Sequence, residues 1–186
     1  MATVNRPRAT PDDLMRTEGK AELIGGKVVR FMATGVRPNE VAGNIYVSLR
    51  GYAQRLGRGK VFTDNLGYIV PELPSGRESF SPGTSYYDGP LPHNLMRFVE
   101  GPPRFAAEVR SENDYSPAAE REMAAKRADY FAAGTQVVWD VDPVAETVDC
   151  YRADAPDTPV RFRKADTADA EPAVPGWRIT GQEIFA

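Results

Sequence analysis

Two residues carry most of the chemistry the sequence could do. Glu108 lies inside Phe105-Ala106-Ala107-Glu108-Val109, a short apolar run of the kind that forms a central strand. An ionised acid there is costly unless it is paired or bound to a metal. Lys126 follows Met123 by three residues and precedes Tyr130 by four, on the helix side that should face a sheet. Carboxylate oxygens from neighbouring strands are what a hard cation such as Mg²⁺ takes, and such an ion can polarise a phosphodiester and acidify a water. A nearby lysine can orient that water or offset charge on the phosphate. Each residue also has a plain reading: Glu108 on a solvent-facing edge, and Lys126 with its stem on the core and its ammonium outside. Spacing alone does not decide between these readings.

Other chemistries are poorly supplied. His93 is the only histidine and Cys150 the only cysteine, which excludes an internal disulfide, a cysteine zinc cluster and a histidine-rich metal site. A Ser-His-Asp triad would have to pass through His93, and there is no Gly-x-Ser-x-Gly elbow. Gly57-Arg58-Gly59-Lys60-Val61 lacks the earlier glycine and the Ser or Thr of a phosphate loop, so no nucleotide cofactor is expected. The net charge of −3 and pI near 5.3 speak against coating nucleic acid by bulk charge. Any DNA contact must be local, and Arg50, Arg55, Arg58 and Lys60 form the candidate patch; cations near a helix C-terminus are its simpler reading.

The elements that must position these residues can be traced along the chain. Residues 1–9 show no periodicity and read as a flexible arm; residues 10–186 fit one domain. Thr10-Pro11-Asp12-Asp13 carries a capping box and predicts a helix start. Ala21–Ile24 and Lys27–Phe31 flank Gly25-Gly26, which predicts a hairpin. Val41, Ile45, Leu49, Tyr52 and Leu56 put one apolar stripe on a helix from Pro38 to Leu56, stopped at Gly57. Strand-like runs at Val61–Asp64, Leu66–Val70 and Ser79–Tyr87 suggest a meander, before a Pro-rich loop from Asp88 to Pro103. After the Glu108 strand, Ser116-Pro117 opens a helix that ends at Gly134. Gln136–Val141 and Thr147–Arg152 are two further strands, and the tail predicts another strand or two with a turn near Gln182–Phe185. This order predicts an α+β fold with a mixed central sheet flanked by helices. No apolar run approaches the roughly 20 residues of a membrane span and Met1–Arg6 has no secretory character, so a cytoplasmic protein is expected.

Several stretches resemble the Uma-two family, a restriction-endonuclease-like branch of the PD-(D/E)XK nucleases. They are Ala21 to Val29, Ser79-Phe80-Ser81-Pro82-Gly83-Thr84-Ser85, Ala106 to Val109, Lys126 to Gly134, Val137 to Pro143, and Pro175-Gly176-Trp177. The resemblance covers nearly all of residues 10–186. It implies a Mg²⁺-dependent DNA endonuclease, with Mn²⁺ as a substitute ion, in which Glu22 and Glu108 are the metal-binding acids and Lys126 is the catalytic lysine. In the common superfamily pattern the lysine follows the strand acid by two, where this chain has Arg110; arginine could bind phosphate but would be a poor proton acceptor.

Three positions depart from the family. Gly83 stands where the metal-binding aspartate is expected, Lys27 replaces an acid after the hairpin turn, and Asn39 replaces a frequent histidine. Losing a charged oxygen ligand should weaken a hard cation severely, so impaired catalysis is expected. Either the natural protein has lost the aspartate or the gene carries a single-base exchange, and Asp88 and Asp140 are the acids nearest to hand for rescue. The alternative is a non-catalytic DNA- or protein-binding module that keeps the nuclease fold. A homodimer, for which apolar strands near the C-terminus could supply the interface, is compatible with either.

Overall fold

A computed structural model describes residues 7–186. The expected arm over residues 1–9 therefore falls mainly outside the described residues; within them, the Ala9 N–H donates to the Gly26 carbonyl at 2.8 Å. Helix α1 (Pro11–Met15) starts at Thr10 with the capping box closed by Asp13. Strands β1 (Ala21–Ile24) and β2 (Lys27–Arg30) form the hairpin. Gly25 and Gly26 take φ of 58° and 67°, which side-chain-bearing residues adopt with strain.

Helix α2 (Val36–Leu56) begins two residues earlier than the sequence suggests and ends at Gly57, in the left-handed conformation. Val41, Ile45 and Leu49 are fully buried, each contributing roughly 1.5–3 kcal/mol. Leu56 departs from the expected stripe: it is exposed, and Ala53 is buried in the last turn.

The next strands do not make a meander. β3 (Lys60–Thr63) pairs with β6 (Thr84–Tyr87), whereas β4 (Tyr68–Ile69), β5 (Ser79–Phe80) and β7 (Val99–Glu100) form a separate three-stranded sheet. The run from Ser79 to Tyr87, expected as one strand, is broken at Ser81-Pro82-Gly83 because Pro82 offers no N–H to a ladder. One half pairs with β4 and the other with β8 (Phe105–Val109). β7 was not anticipated in the Pro-rich loop.

Helix α3 (Pro117–Ala133) is capped by Ser116, whose side chain accepts from the Ala119 N–H. β9 (Val137–Asp142) runs parallel to β8, β10 (Thr147–Arg152) antiparallel to β9, and β11 (Ala155–Arg163) completes the outer edge. The central sheet thus has the order β11-β10-β9-β8-β6-β3, mixed but mainly antiparallel. A small ribbon of β12 (Thr167–Asp169) and β13 (Arg178–Thr180) leads into α4 (Gly181–Ile184).

Two apolar clusters lie on the two faces of the sheet. On one, the α2 stripe meets Phe105, Ala107, Trp139, Trp177, Ile184 and Phe185. Polar contacts strap the C-terminal segment to α2: Trp177 Nε1 donates to Ser48 Oγ, Tyr52 to the Pro175 carbonyl, and Arg37 to the carbonyls of Phe185 and Ala186. On the other face Ala106 and Val138 pack with Tyr130 of α3 and with Tyr68 and Phe80 of the three-stranded sheet. The chain is α+β, a mixed sheet flanked by helices. Among the described residues no helix is long and apolar enough to cross a membrane.

Candidate active site

Four elements meet where the broken strand leaves the sheet. The β1–β2 hairpin docks on β5 through the Leu23 N–H, which donates to Ser79 Oγ at 2.7 Å, and the Glu78 N–H, which donates to the Leu23 carbonyl. That docking buries Glu22 completely. Glu108 projects from the end of β8, and α3 brings Lys126, Asp129 and Tyr130 across the same face.

Glu22, Glu108 and Lys126 come together. Lys126 Nζ lies 2.9 Å from Glu22 Oε1 and 2.9 Å from Glu108 Oε1, bridging the two acids. Glu22 Oε1 also accepts the Ser81 N–H at 3.0 Å, and Glu22 Oε2 pairs with Arg77. Arg77 turns its Nε to Asp129 at 2.9 Å and lies over the Phe80 ring. Tyr130 donates to Glu108 Oε1 at 2.6 Å and stacks on Phe80. The cluster opens to solvent at Glu108, whose side chain is 25% exposed against 0% for Glu22.

The electrostatics follow from this pairing. Burial alone would raise the Glu22 carboxyl, but the Lys126 and Arg77 charges outweigh it and hold the acid below its ordinary value. Burial likewise works against the Lys126 ammonium; Glu108 and Glu22 overcome it and push the amine up. Burial, and then the Glu108 charge, drive the Tyr130 phenol well above its usual range. Lys126 therefore stays protonated near neutrality.

This donor set does not fit a divalent ion as it stands. Both Glu22 oxygens are engaged, the ammonium sits between the acids, and of the four Glu22 and Glu108 oxygens only Glu108 Oε2 has no hydrogen bond or ion pair among the described residues. Among the described residues no three His, Cys, Asp or Glu side chains converge in a metal-binding group. Gly83 immediately precedes Thr84, the register partner of Ala107. A β-carbon at residue 83 would meet the Ala107 carbonyl at 3.3 Å, tight enough to require a shift of a few tenths of an ångström, with Ala42 and Val109 at 3.9 Å. Neither acid considered for rescue is free. Asp140 is gripped by Arg110 and Arg127, and Asp88, at the far end of β6, by Arg58 and Arg104.

The cations expected at DNA sort differently. Arg110 forks onto Asp140 at 2.7 and 2.9 Å and reaches Glu120, leaving its side chain 12% exposed. Arg55, Arg58 and Lys60 are exposed but lie apart from the acids: Lys60 pairs with Tyr87, at the opposite end of the β3–β6 ladder from Gly83. Arg77 and Asp129 were not singled out from sequence. Asp129 had a signal, one helical turn after Lys126 on the side facing the sheet; Arg77, in a Pro-Ser-Gly turn, had none.

The chain matches, over residues 9–182, the family model Uma2, described as a putative restriction endonuclease. Its fold is similar to the crystal structure of a protein described as a putative nuclease belonging to DUF820 from Anabaena variabilis ATCC 29413. The TM-score is 0.74 at 17% identity, over 95% of this chain and 97% of that one. No curated protein matched the chain.

Proposed function

Because the chain belongs to the Uma2 family of putative restriction endonucleases, we propose that it is a DNA phosphodiesterase whose hydrolytic centre lacks one carboxylate. The observation that carries this reading is the meeting of Glu22, Glu108 and Lys126 at one point. With the missing carboxylate restored, a Mg²⁺ ion held by it and Glu108 would supply Lewis acidity at the phosphate and an acidified water. The chain's own residues supply the rest. Lys126, held cationic, offsets charge building on a phosphate oxygen; the solvent-facing Glu108 Oε2 orients a water at the mouth; Glu22 and Arg77 hold Lys126 in place from behind.

Gly83 leaves that centre impaired. The test is Gly83→Asp, assayed by Mn²⁺ calorimetry and by plasmid nicking with Mg²⁺ or Mn²⁺. The variant is expected to bind the ion at least tenfold more tightly than the parent and to cut DNA that the parent leaves intact. A variant that neither binds metal nor cuts any DNA form overturns the hydrolytic reading. The complete pairing of the buried cations within the cluster favours one second reading, a non-catalytic module keeping the nuclease fold, which that negative result would leave standing.

A further inference from the structure

A second surface lies away from the acids. A cleft of about 610 Å³ lies between the second half of α2, β3 and the segment that follows β6, lined by Tyr46, Arg50, Lys60, Phe62, Tyr87 and Asp88 among others. β3 is the terminal strand of the central sheet, so this edge carries no neighbouring strand among the described residues. Arg50, Arg55 and Lys60 are exposed and make no ion pair among the described residues, and Arg58 adds a guanidinium that is 67% exposed beside Asp88. On a chain of net charge −3, this is a concentrated positive patch. Arg50 lies 5.6 Å from the Tyr46 ring centroid, so cation and aromatic share one wall.

We infer that this cleft binds the backbone of an unpaired DNA strand. Cations tracking phosphates beside aromatic faces are what unpaired nucleic acid requires, since every base offers a stacking face. The volume is that of a ligand pocket, roughly 300–1,000 Å³, which admits a short piece of single strand. On the β9–β10 side of the sheet the carboxylates of Asp140, Asp149 and Glu120 are paired with arginines; the unpaired cations Arg50 and Lys60 line the cleft. The site is independent of the hydrolytic reading. It needs no ion, and the Lys60 end of the β3–β6 ladder is the end remote from Gly83.

The experiment is fluorescence anisotropy of a labelled oligothymidine with the intact protein in EDTA, over a range of salt. The two unpaired cations that line the cleft, Arg50 and Lys60, predict a slope of log affinity against log salt of about −1.4, or roughly a 7-fold loss between 50 and 200 mM. Arg50→Glu with Lys60→Glu, both at exposed positions, should weaken binding more than tenfold and flatten that slope. The charge-matched control, Arg16→Glu with Arg121→Glu, should stay within twofold, and circular dichroism checks that both variants fold. Equal losses in the two variants, no binding by the parent, duplex bound as tightly as single strand, or competition by polyglutamate at equal charge would each overturn the assignment. Failure of Gly83→Asp to bind metal or nick plasmid, with strand binding intact, would sink the hydrolytic reading alone.

Discussion

Arg77→Met would test whether the buried cluster is held by charge. Arg77 is 10% exposed and touches two acids, Glu22 at 0% and Asp129 at 12%. Removing one partner of a buried pair costs roughly 3–5 kcal/mol, because it strands a charge. Here the loss falls unevenly. Glu22 keeps Lys126 at 2.9 Å and the Ser81 N–H at 3.0 Å, whereas Asp129 loses its one charged partner. The cost should therefore sit near the lower bound, about 3 kcal/mol, which for a chain of this length lowers Tm by about 6–12 °C. The pH dependence has a definite sign. Glu22 is held below its ordinary value of 4.5, so its contribution is full above that pH and is lost on acidification through the depressed value. Without Arg77 less of that contribution exists to lose. The gap between parent and variant in urea titrations should then be widest at pH 7 and narrow by pH 3.5. A gap of equal size at both values would refute the charge account and assign the loss to packing of Arg77 on Phe80. Adding Asp129→Leu to Arg77→Met should recover much of the deficit.

Two further outcomes are expected from single substitutions. Tyr130→Phe removes a 2.6 Å hydrogen bond to Glu108 while keeping the stack on Phe80, and should cost about 1.5 kcal/mol in urea unfolding, since water can replace the donor at the exposed mouth. Ser116→Ala removes the cap on the Ala119 N–H and should cost about 1 kcal/mol, with amide exchange rising first in the opening turn of α3.

Much of the frame was legible in the residues because it rests on local rules. The Thr10–Asp13 capping box, the Gly25-Gly26 hairpin, the glycine stops at residues 57 and 134 and the apolar Glu108 strand each depend on a few neighbouring positions. What escaped depended on partners far along the chain. Pro82 marks a break after Ser79, but nothing nearby says that the two halves will join different sheets, and nothing in Leu73-Pro74-Ser75-Gly76-Arg77 says that the arginine will turn inward to Glu22, 55 positions earlier. The pairing of Arg110 with Asp140 was invisible for the same reason, at a separation of 30. The meeting of Glu22 with Glu108 and Lys126 was reached through family resemblance, since spacing offered no reason to join the first hairpin to the third helix.

The strap between α2 and the C-terminal segment has a consequence for biosynthesis. Ser48 and Trp177 are 129 positions apart, so Val41, Ile45 and Leu49 leave the ribosome long before the residues that cover them exist. At roughly 5–20 residues per second, that apolar stripe waits on the order of ten seconds for its lid. During that interval the nascent chain offers a greasy helix to any passing surface, and a holdase that shields it would raise the yield of native protein more than one acting on the finished polypeptide.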